Sequence, residues 1–268
     1  MGTNTLKYNR PGSITRKAQV RLLEMLVETD RICKKHNITY WLESGSLLGA
    51  IRHKGFIPWD DDLDITLLRK DYIKLTKVLK QELPNWLILQ NGETDKFYSL
   101  HMPYCRVVDK KSFGVYPKGK VPMRRKFKYQ GLFIDLFYLE RGNSSIRQWV
   151  NYFYRKSFKI VYGTRPTSNV FLKLAAYAIY PITKFIIFLL RTLSFIFPKD
   201  SLVYGYEIPF HREHQKPEVI PTRPVGFEGL HFPGPNKPDL YLRRCFKNYK
   251  ELPREEARKS HFVKIDFY

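Results

Sequence analysis

Residues 130–140, QGLFIDLFYLE, read as an apolar strand with one carboxylate, Asp135, in its middle. Burying an isolated carboxylate is costly unless something compensates it, so the fold must bring a partner to that point. A hydrogen-bonded core aspartate would meet the requirement; so would a metal ion shared with other carboxylates. Such carboxylates lie upstream, in WDDDLDI at residues 59–65. Side chains along a strand alternate sides, which predicts Asp60, Asp62 and Asp64 on one face and Asp61 on the other with Trp59, Leu63 and Ile65. Three carboxylates crowded on one face repel one another, and hard oxygen ligands suit Mg2+ or Mn2+. An acidic run is ordinarily a solvated loop. Here the alternation, the flanking Trp59 and Ile65 and the solitary Asp135 favour a metal site: two carboxylates from one strand and a third from a neighbour, a common cradle for phosphoryl and nucleotidyl transfer.

The surrounding pattern is that of an α/β or α+β domain around a small mixed sheet. Ser13 is placed to cap a helix running to about His36, with Ile14, Ala18, Leu22, Met25, Leu26, Thr29 and Ile32 on its apolar face. ITYWLESGS reads as a strand ending in a Gly-Ser turn, followed by a short helix, LLGAIRHKG, stopped at Gly55. A helix from about Asp71 to Leu83 and strands at WLILQ and MPYCRVV complete the part before Asp135. The turn at Gly45-Ser46 opens a helix, whose free N–H groups suit a phosphate held near the metal. Arg52, His53 and Lys54 then set positive charge between that turn and the aspartates, although a solvated helix end with a favourable dipole accounts at least as well for Lys54.

Residues 40–65 carry a resemblance to a known family. YWLESGSLLGAIRHKGFIPWDDDLDI resembles the signature of the LicD family, whose relatives include the fukutin-type phosphotransferases. The likeness continues in DYIKL, in QGLFIDLF and in FEGLHFPGPNKPDLYLRRCFKNYKELPREEARKSH near the C-terminus. It implies a nucleotidyltransferase-like fold and transfer of a phospho-substituent, such as phosphocholine, from a CDP-linked donor to a sugar hydroxyl of a cell-surface glycan or its lipid-linked precursor. It also implies Asp62, Asp64 and Asp135 as metal ligands with Asp60 beside them, Gly45 and Ser46 at the donor phosphate, and Arg106 near the diphosphate. A metal-dependent glycosyltransferase using a nucleotide sugar, and a non-enzymatic basic adaptor for membrane surfaces, are the alternatives.

The resemblance divides the chain into a catalytic core at 1–145, an insert at 146–200 and a return to the family pattern at 201–268. The insert is aromatic, basic and nearly free of acids, and VFLKLAAYAIYPITKFIIFLLRTLSFIF contains only Lys173, Lys184 and Arg191 as charges. On a helical wheel these three fall on one side with Tyr177 and Tyr180 near them, and Pro181 marks a kink. That arrangement suits a helix or broken helix pair in a membrane interface, against a buried or oligomer-contact helix and a true span as competing readings. The formal charge of +22, from 47 basic and 25 acidic residues, calls for a polyanionic partner. Runs at Lys118–Lys128 and Arg155–Lys159 add attraction to anionic lipid. Nucleic acid is disfavoured, since the aromatics concentrate in an apolar insert and not in an alternating basic groove. The N-terminus lacks the apolar stretch of a signal peptide. Cys33, Cys105 and Cys245 lie far apart with no CxxC pair, which predicts free thiols and no zinc site. Together these place the protein in the cytoplasm, peripheral on the inner face of the membrane. His261, in the terminal KSHFVKIDFY, either reaches the site or caps a helix.

Overall fold

The computed structural model describes residues 6–117, 126–163, 165, 167–196, 200–246 and 248–268. After a short turn of helix, α1 (Leu6–Asn9), the chain enters α2 (Ile14–Lys35), capped by Ser13, whose side chain accepts the Arg16 N–H. The apolar stripe of α2 is buried from Ala18 through Leu22, Met25 and Leu26 to Ile32, while Ile14 at its start is exposed. Each large aliphatic buried in this way contributes about 1.5–3 kcal/mol relative to exposure.

Next come β1 (Tyr40–Leu42), α3 (Ser44–His53), β2 (Leu63–Leu68), α4 (Arg69–Glu82), β3 (Leu87–Gln90), α5 (Lys96–His101), β4 (Cys105–Asp109), β5 (Ser112–Val115) and β6 (Phe133–Arg141). The stop of α3 is Lys54 in the left-handed region, just before Gly55. The main sheet runs β1–β2–β6–β4–β3, with β2 and β6 parallel and the other pairs antiparallel. Eight consecutive residues of β6, from Phe133 to Glu140, are buried because both faces of the sheet are covered. The α/β class and the small mixed sheet flanked by helices follow the sequence reading.

Two long helices, α6 (Ser144–Val161) and α7 (Val170–Ile196), leave the sheet as a hairpin, and β7 (Ser201–Tyr204) returns to the free end of β6. Pro181 sits inside α7 without ending it. A helix over Val170–Ser194 is long and apolar enough to cross a membrane by length and composition, and 17% of its most apolar stretch is buried. That exposure removes the buried-core reading of the insert. The basic run at 118–128 lies largely outside the described residues.

The last part holds β8 (Glu213–Gln215), α8 (Lys216–Val219), the hairpin β9 (Arg223–Phe227) and β10 (Leu230–Gly234), α9 (Pro238–Cys245) and β11 (Lys264–Phe267). The sequence reads DLYLRRCFKNY and PREEARKSH as a final pair of helices; the first supplies α9, whereas the second forms only a 3-10 turn at Glu255–Ala257. The terminal segment then pairs as β11 with β5. The cysteines are free thiols, with Cys33 buried.

Candidate active site

Sheet register sets three charged residues abreast. Asp64 of β2 is aligned with Asp135 of β6, and Asp135 with Arg106 of β4, so all three project from one face. The Arg106 guanidinium is buried and grips Asp135 with two N–H groups: Nε donates to Oδ1, and Nη2 to Oδ2 at 3.3 Å. Its Cζ lies 3.8 Å from the centre of the Phe133 ring. Asp135 is thus compensated by an ion pair from the next strand. The expectation that Arg106 steadies a donor diphosphate is revised for the same reason: its guanidinium is closed off behind Asp135. An ionised carboxylate has about four lone-pair sites, so Asp135 keeps capacity for a second cation on its other side.

Asp60 and Asp62 approach from the loop before β2. Strand alternation does not place them, because β2 begins only at Leu63. The loop is held instead by a bond from the Asp60 N–H to the Ile57 carbonyl at 2.9 Å. Gln19 of α2 adds two more, donating to the carbonyls of Ile57 at 3.3 Å and Asp60 at 3.0 Å. Asp61 does turn elsewhere: it is buried, and accepts the backbone N–H groups of His261 at 2.7 Å and Phe262 at 3.0 Å. This latch brings the His261 ring to the cluster, with Nδ1 3.2 Å from Asp61, 3.5 Å from Asp62 and 3.7 Å from Asp60. His261 therefore reaches the site and caps no helix.

The electrostatics ask for positive charge. Burial, and then Asp62, push the Asp60 carboxyl well above the usual carboxylate range. Burial, then Asp62, Asp135, Asp60 and Glu43, do the same to Asp64. Asp62 is raised chiefly by burial. The field of Asp62, with the hydrogen bond to Asp61 and the charge of Asp60, raises the His261 imidazole to about 10 despite its burial. Hard oxygen donors on two strands and a fixed loop, with Asp60 and Asp64 raised by their neighbours, fit a divalent cation of the Mg2+ or Mn2+ kind. Asp60, Asp61 and His261 also offer ligand atoms within 4.8 Å of one another, although Asp61 is already engaged by backbone.

The helix start lies against this cluster. Gly45 and Ser46 are in the first turn of α3, where backbone N–H groups have no intrahelical acceptor. A Cβ on Gly45 would lie 3.1 Å from Asp60 Oδ2, and Ser46 Oγ accepts the Asp64 N–H at 2.8 Å. Glu43, the N-cap, is buried and fixes the entry: it accepts from the Ser44 N–H and O–H at 3.0 Å, from the Thr66 hydroxyl at 2.8 Å and from Tyr241. At the same end Arg212 donates to Ser44 Oγ at 3.2 Å. Arg52 and His53 belong to the opposite end of α3. Arg52 donates to the carbonyls of Tyr249 at 2.9 Å and Glu251 at 3.0 Å. Burial and Arg52 lower His53 to about 4. The structure thus sets both at the end of α3 away from Gly45 and Ser46, with Arg52 anchoring the C-terminal loop.

Sequence reading missed Gln19, Glu43 and Arg212. Glu43 alone carried a local signal, an acid directly before the Gly-Ser turn; the others come from distant segments.

A family model described as LicD/FKTN/FKRP, nucleotidyltransferase domain, matches residues 37–176. That span contains Glu43, the start of α3, the aspartate cluster and Arg106. The lipopolysaccharide cholinephosphotransferase LicD of Haemophilus influenzae is 40% identical over 78 residues, 29% of this chain and 29% of that protein. The ribitol 5-phosphate transferase FKRP of Homo sapiens is 45% identical over 53 residues, 18% of this chain and 11% of that protein. An uncharacterized protein of Rickettsia prowazekii is 47% identical over 68 residues, 25% of this chain and 26% of the relative. The chain thus spans less than a third of the length of these relatives.

Proposed function

The chain belongs to the LicD family, and from that premise we propose that it is a metal-dependent phosphotransferase, moving a phospho-substituent such as phosphocholine from a CDP-linked donor to a sugar hydroxyl. The acceptor is a cell-surface glycan or its lipid-linked precursor, met by a protein peripheral on the inner face of the membrane. The observation that carries the reading is the alignment of Asp64 with Asp135 beside the first turn of α3. Carboxylates for a cation then lie beside N–H groups for a phosphate, Gly45 against Asp60 and Ser46 against Asp64.

In this reading Asp62, Asp64 and Asp135 hold Mg2+ or Mn2+, which would offset charge on the diphosphate and on the departing CMP. The N–H groups of Gly45 and Ser46 bind phosphate oxygens, helped by the helix dipole. Arg212, at the same helix end, replaces Arg106 as the cation facing the donor. Arg106 orients Asp135 from behind, as outer partners of metal ligands do. Asp60 accepts the proton of the attacking hydroxyl, because Asp135 would be shared between Arg106 and the cation.

The test is turnover of a panel of CDP-linked compounds by the full chain with Mg2+, following CMP. Metal-dependent CMP release that disappears in Asp62→Ala and Asp64→Ala is expected. Consumption of a sugar nucleotide with release of a nucleoside diphosphate, and no use of any CDP compound, would replace this reading with glycosyl transfer.

A further inference from the structure

A cationic site lies on the far side of the sheet from the aspartates. Tyr138 is three residues along β6 from Asp135 and faces the opposite way; it packs on Tyr72 of α4 with ring centres 4.7 Å apart. Beside this pair is a cleft of about 260 Å³, where Arg69, Arg155 and Lys159 meet Tyr154 and Phe158. A second cleft, of about 530 Å³, shares Arg155 and Lys159 and adds Lys156 and Arg165. The cations crowd each other: after burial, Arg155 and Arg165 are what lower the Lys159 ammonium, and Arg155 also lowers His211. The acid in the lining, Glu207, is already taken by Arg191 at 2.9 Å and by the Tyr138 hydroxyl at 2.7 Å. Arg155 Nη1 is buried with no hydrogen-bond partner among the described residues. A half-buried guanidinium with an orphan donor, set among like charges, lacks an anion.

The helices around this site show where the anion comes from. Trp149, Tyr152, Phe153 and Lys156 recur at i, i+3, i+4 and i+7 on α6 and are exposed, the aromatic and basic mixture favoured at a membrane interface. On α7 the outward side is apolar, with Phe171 83% exposed, Phe185 59% and Phe188 61%. Its inward stripe is fixed: Tyr180 packs on Tyr154, Phe158 and Tyr162 at 5.6–5.9 Å, and Arg191 bridges Glu140 at 2.7 Å and Glu207 at 2.9 Å. Arg191 therefore faces the body of the protein. A transmembrane orientation is incompatible with the attachment of α6. Arg147 and Asn151, both buried, donate to the carbonyls of Tyr204, Gly205, Tyr206 and Ile208. Inserting α7 across hydrocarbon would carry these segments and the α6 cations in with it.

We propose that the α6–α7 hairpin lies flat in the surface of an anionic bilayer and that the clefts around Arg155 and Lys159 take lipid phosphate headgroups. This rests on the reading that the chain works at a membrane, but not on its transfer chemistry. The phosphate enters from the lipid side, where the apolar residues of α7 are immersed while the basic residues of α6 stay at headgroup depth.

The experiment is sedimentation of the full chain with vesicles of neutral phosphatidylcholine and of phosphatidylcholine mixed with phosphatidylglycerol, alongside CMP release in solution. Preference for the anionic vesicles is expected, falling about five-fold for each of Arg155→Gln and Lys159→Gln, from about 1 kcal/mol per surface cation. Arg155→Lys should recover most of the loss. Phe185→Ser with Phe188→Ser, both at exposed positions, should lower binding to both vesicle types. Equal binding to both compositions, or Gln variants that bind as the parent does, would overturn the headgroup site. Binding of glycerol phosphate by the lipid-free chain as tightly as of anionic vesicles would reassign the clefts to a soluble phosphate. No binding to any vesicle, or a chain dimeric through α7 that sediments alone, would remove the membrane altogether. CMP release by the same samples reports separately on the proposed transfer.

Discussion

Arg106→Met tests the revised assignment of Arg106. The pair it breaks is closed to solvent, with side-chain exposures of 2% for Arg106 and 8% for Asp135. Methionine approximates the length of the arginine stem and its packing on Phe133, so the change isolates the guanidinium. Removing one member of a buried ion pair leaves the other charge uncompensated and costs about 3–5 kcal/mol. At roughly 2–4 °C per kcal/mol for a domain of this size, melting should fall by on the order of ten degrees. Adding Asp135→Leu removes the stranded charge, and the double variant should regain more than about 2 kcal/mol of the loss. Urea denaturation in EDTA measures all three chains without metal. Adding Mg2+ should then stabilise Arg106→Met more than the parent, because the cation compensates an Asp135 left bare. If Arg106→Met is within about 0.5 kcal/mol of the parent, the range of ordinary surface substitutions, while the KM for donor rises, Arg106 contacts the diphosphate after all and its role as the buried counter-ion of Asp135 is refuted.

Three further outcomes follow from the same geometry. Gly45→Ala puts a Cβ 3.1 Å from Asp60 Oδ2, so the chain should fold normally by circular dichroism but lose donor turnover through displacement of that carboxylate; unchanged turnover would detach Gly45 from the site. Arg212→Ala removes the cation beside Ser44 Oγ and should raise the KM for donor with little change in melting temperature, whereas an effect on melting alone would make Arg212 structural. His214 is fully buried, stacked on Tyr241 at 3.8 Å, and held down to about 4 chiefly by burial. Its folded value lies below the unfolded one near 6.5, so its contribution is complete above about pH 6.5 and is lost as pH falls toward 4, up to roughly 3 kcal/mol. Urea unfolding at pH 7 and pH 5 should show this loss in the parent and a smaller one in His214→Phe; equal losses would rule out His214 as its source.

What the sequence made legible was local. The 3.6-residue period of α2 and its Ser13 cap, the strand at LFIDLF and the anomaly of Asp135 are each contained in one stretch of chain. The identity of the partner of Asp135 was not, because strand register, which sets Arg106 beside it, is a property of two segments and is encoded in neither alone. The β9–β10 hairpin escaped for a different reason. Its turn residues, Glu228 and Gly229, both have positive φ, at 53° and 78°, yet glutamate is not the residue that signals such a turn. PREEARKSH read as a helix from composition, but Asp61 captures the backbone of His261 and Phe262 from 200 and 201 residues away and draws that segment out toward β11. Tyr241 likewise reaches Glu43 across 198 residues, and Gln19 holds the Asp60 loop from α2. The span 37–176 that carries the family pattern therefore holds the aspartates but not all that positions them: α2 lies before it, and Tyr241, Arg212 and the latch on Asp61 after it. The carboxylates and the strand register that aligns them are concentrated in the recognisable segment, and the loop of Asp60 and Asp61 is held from outside it.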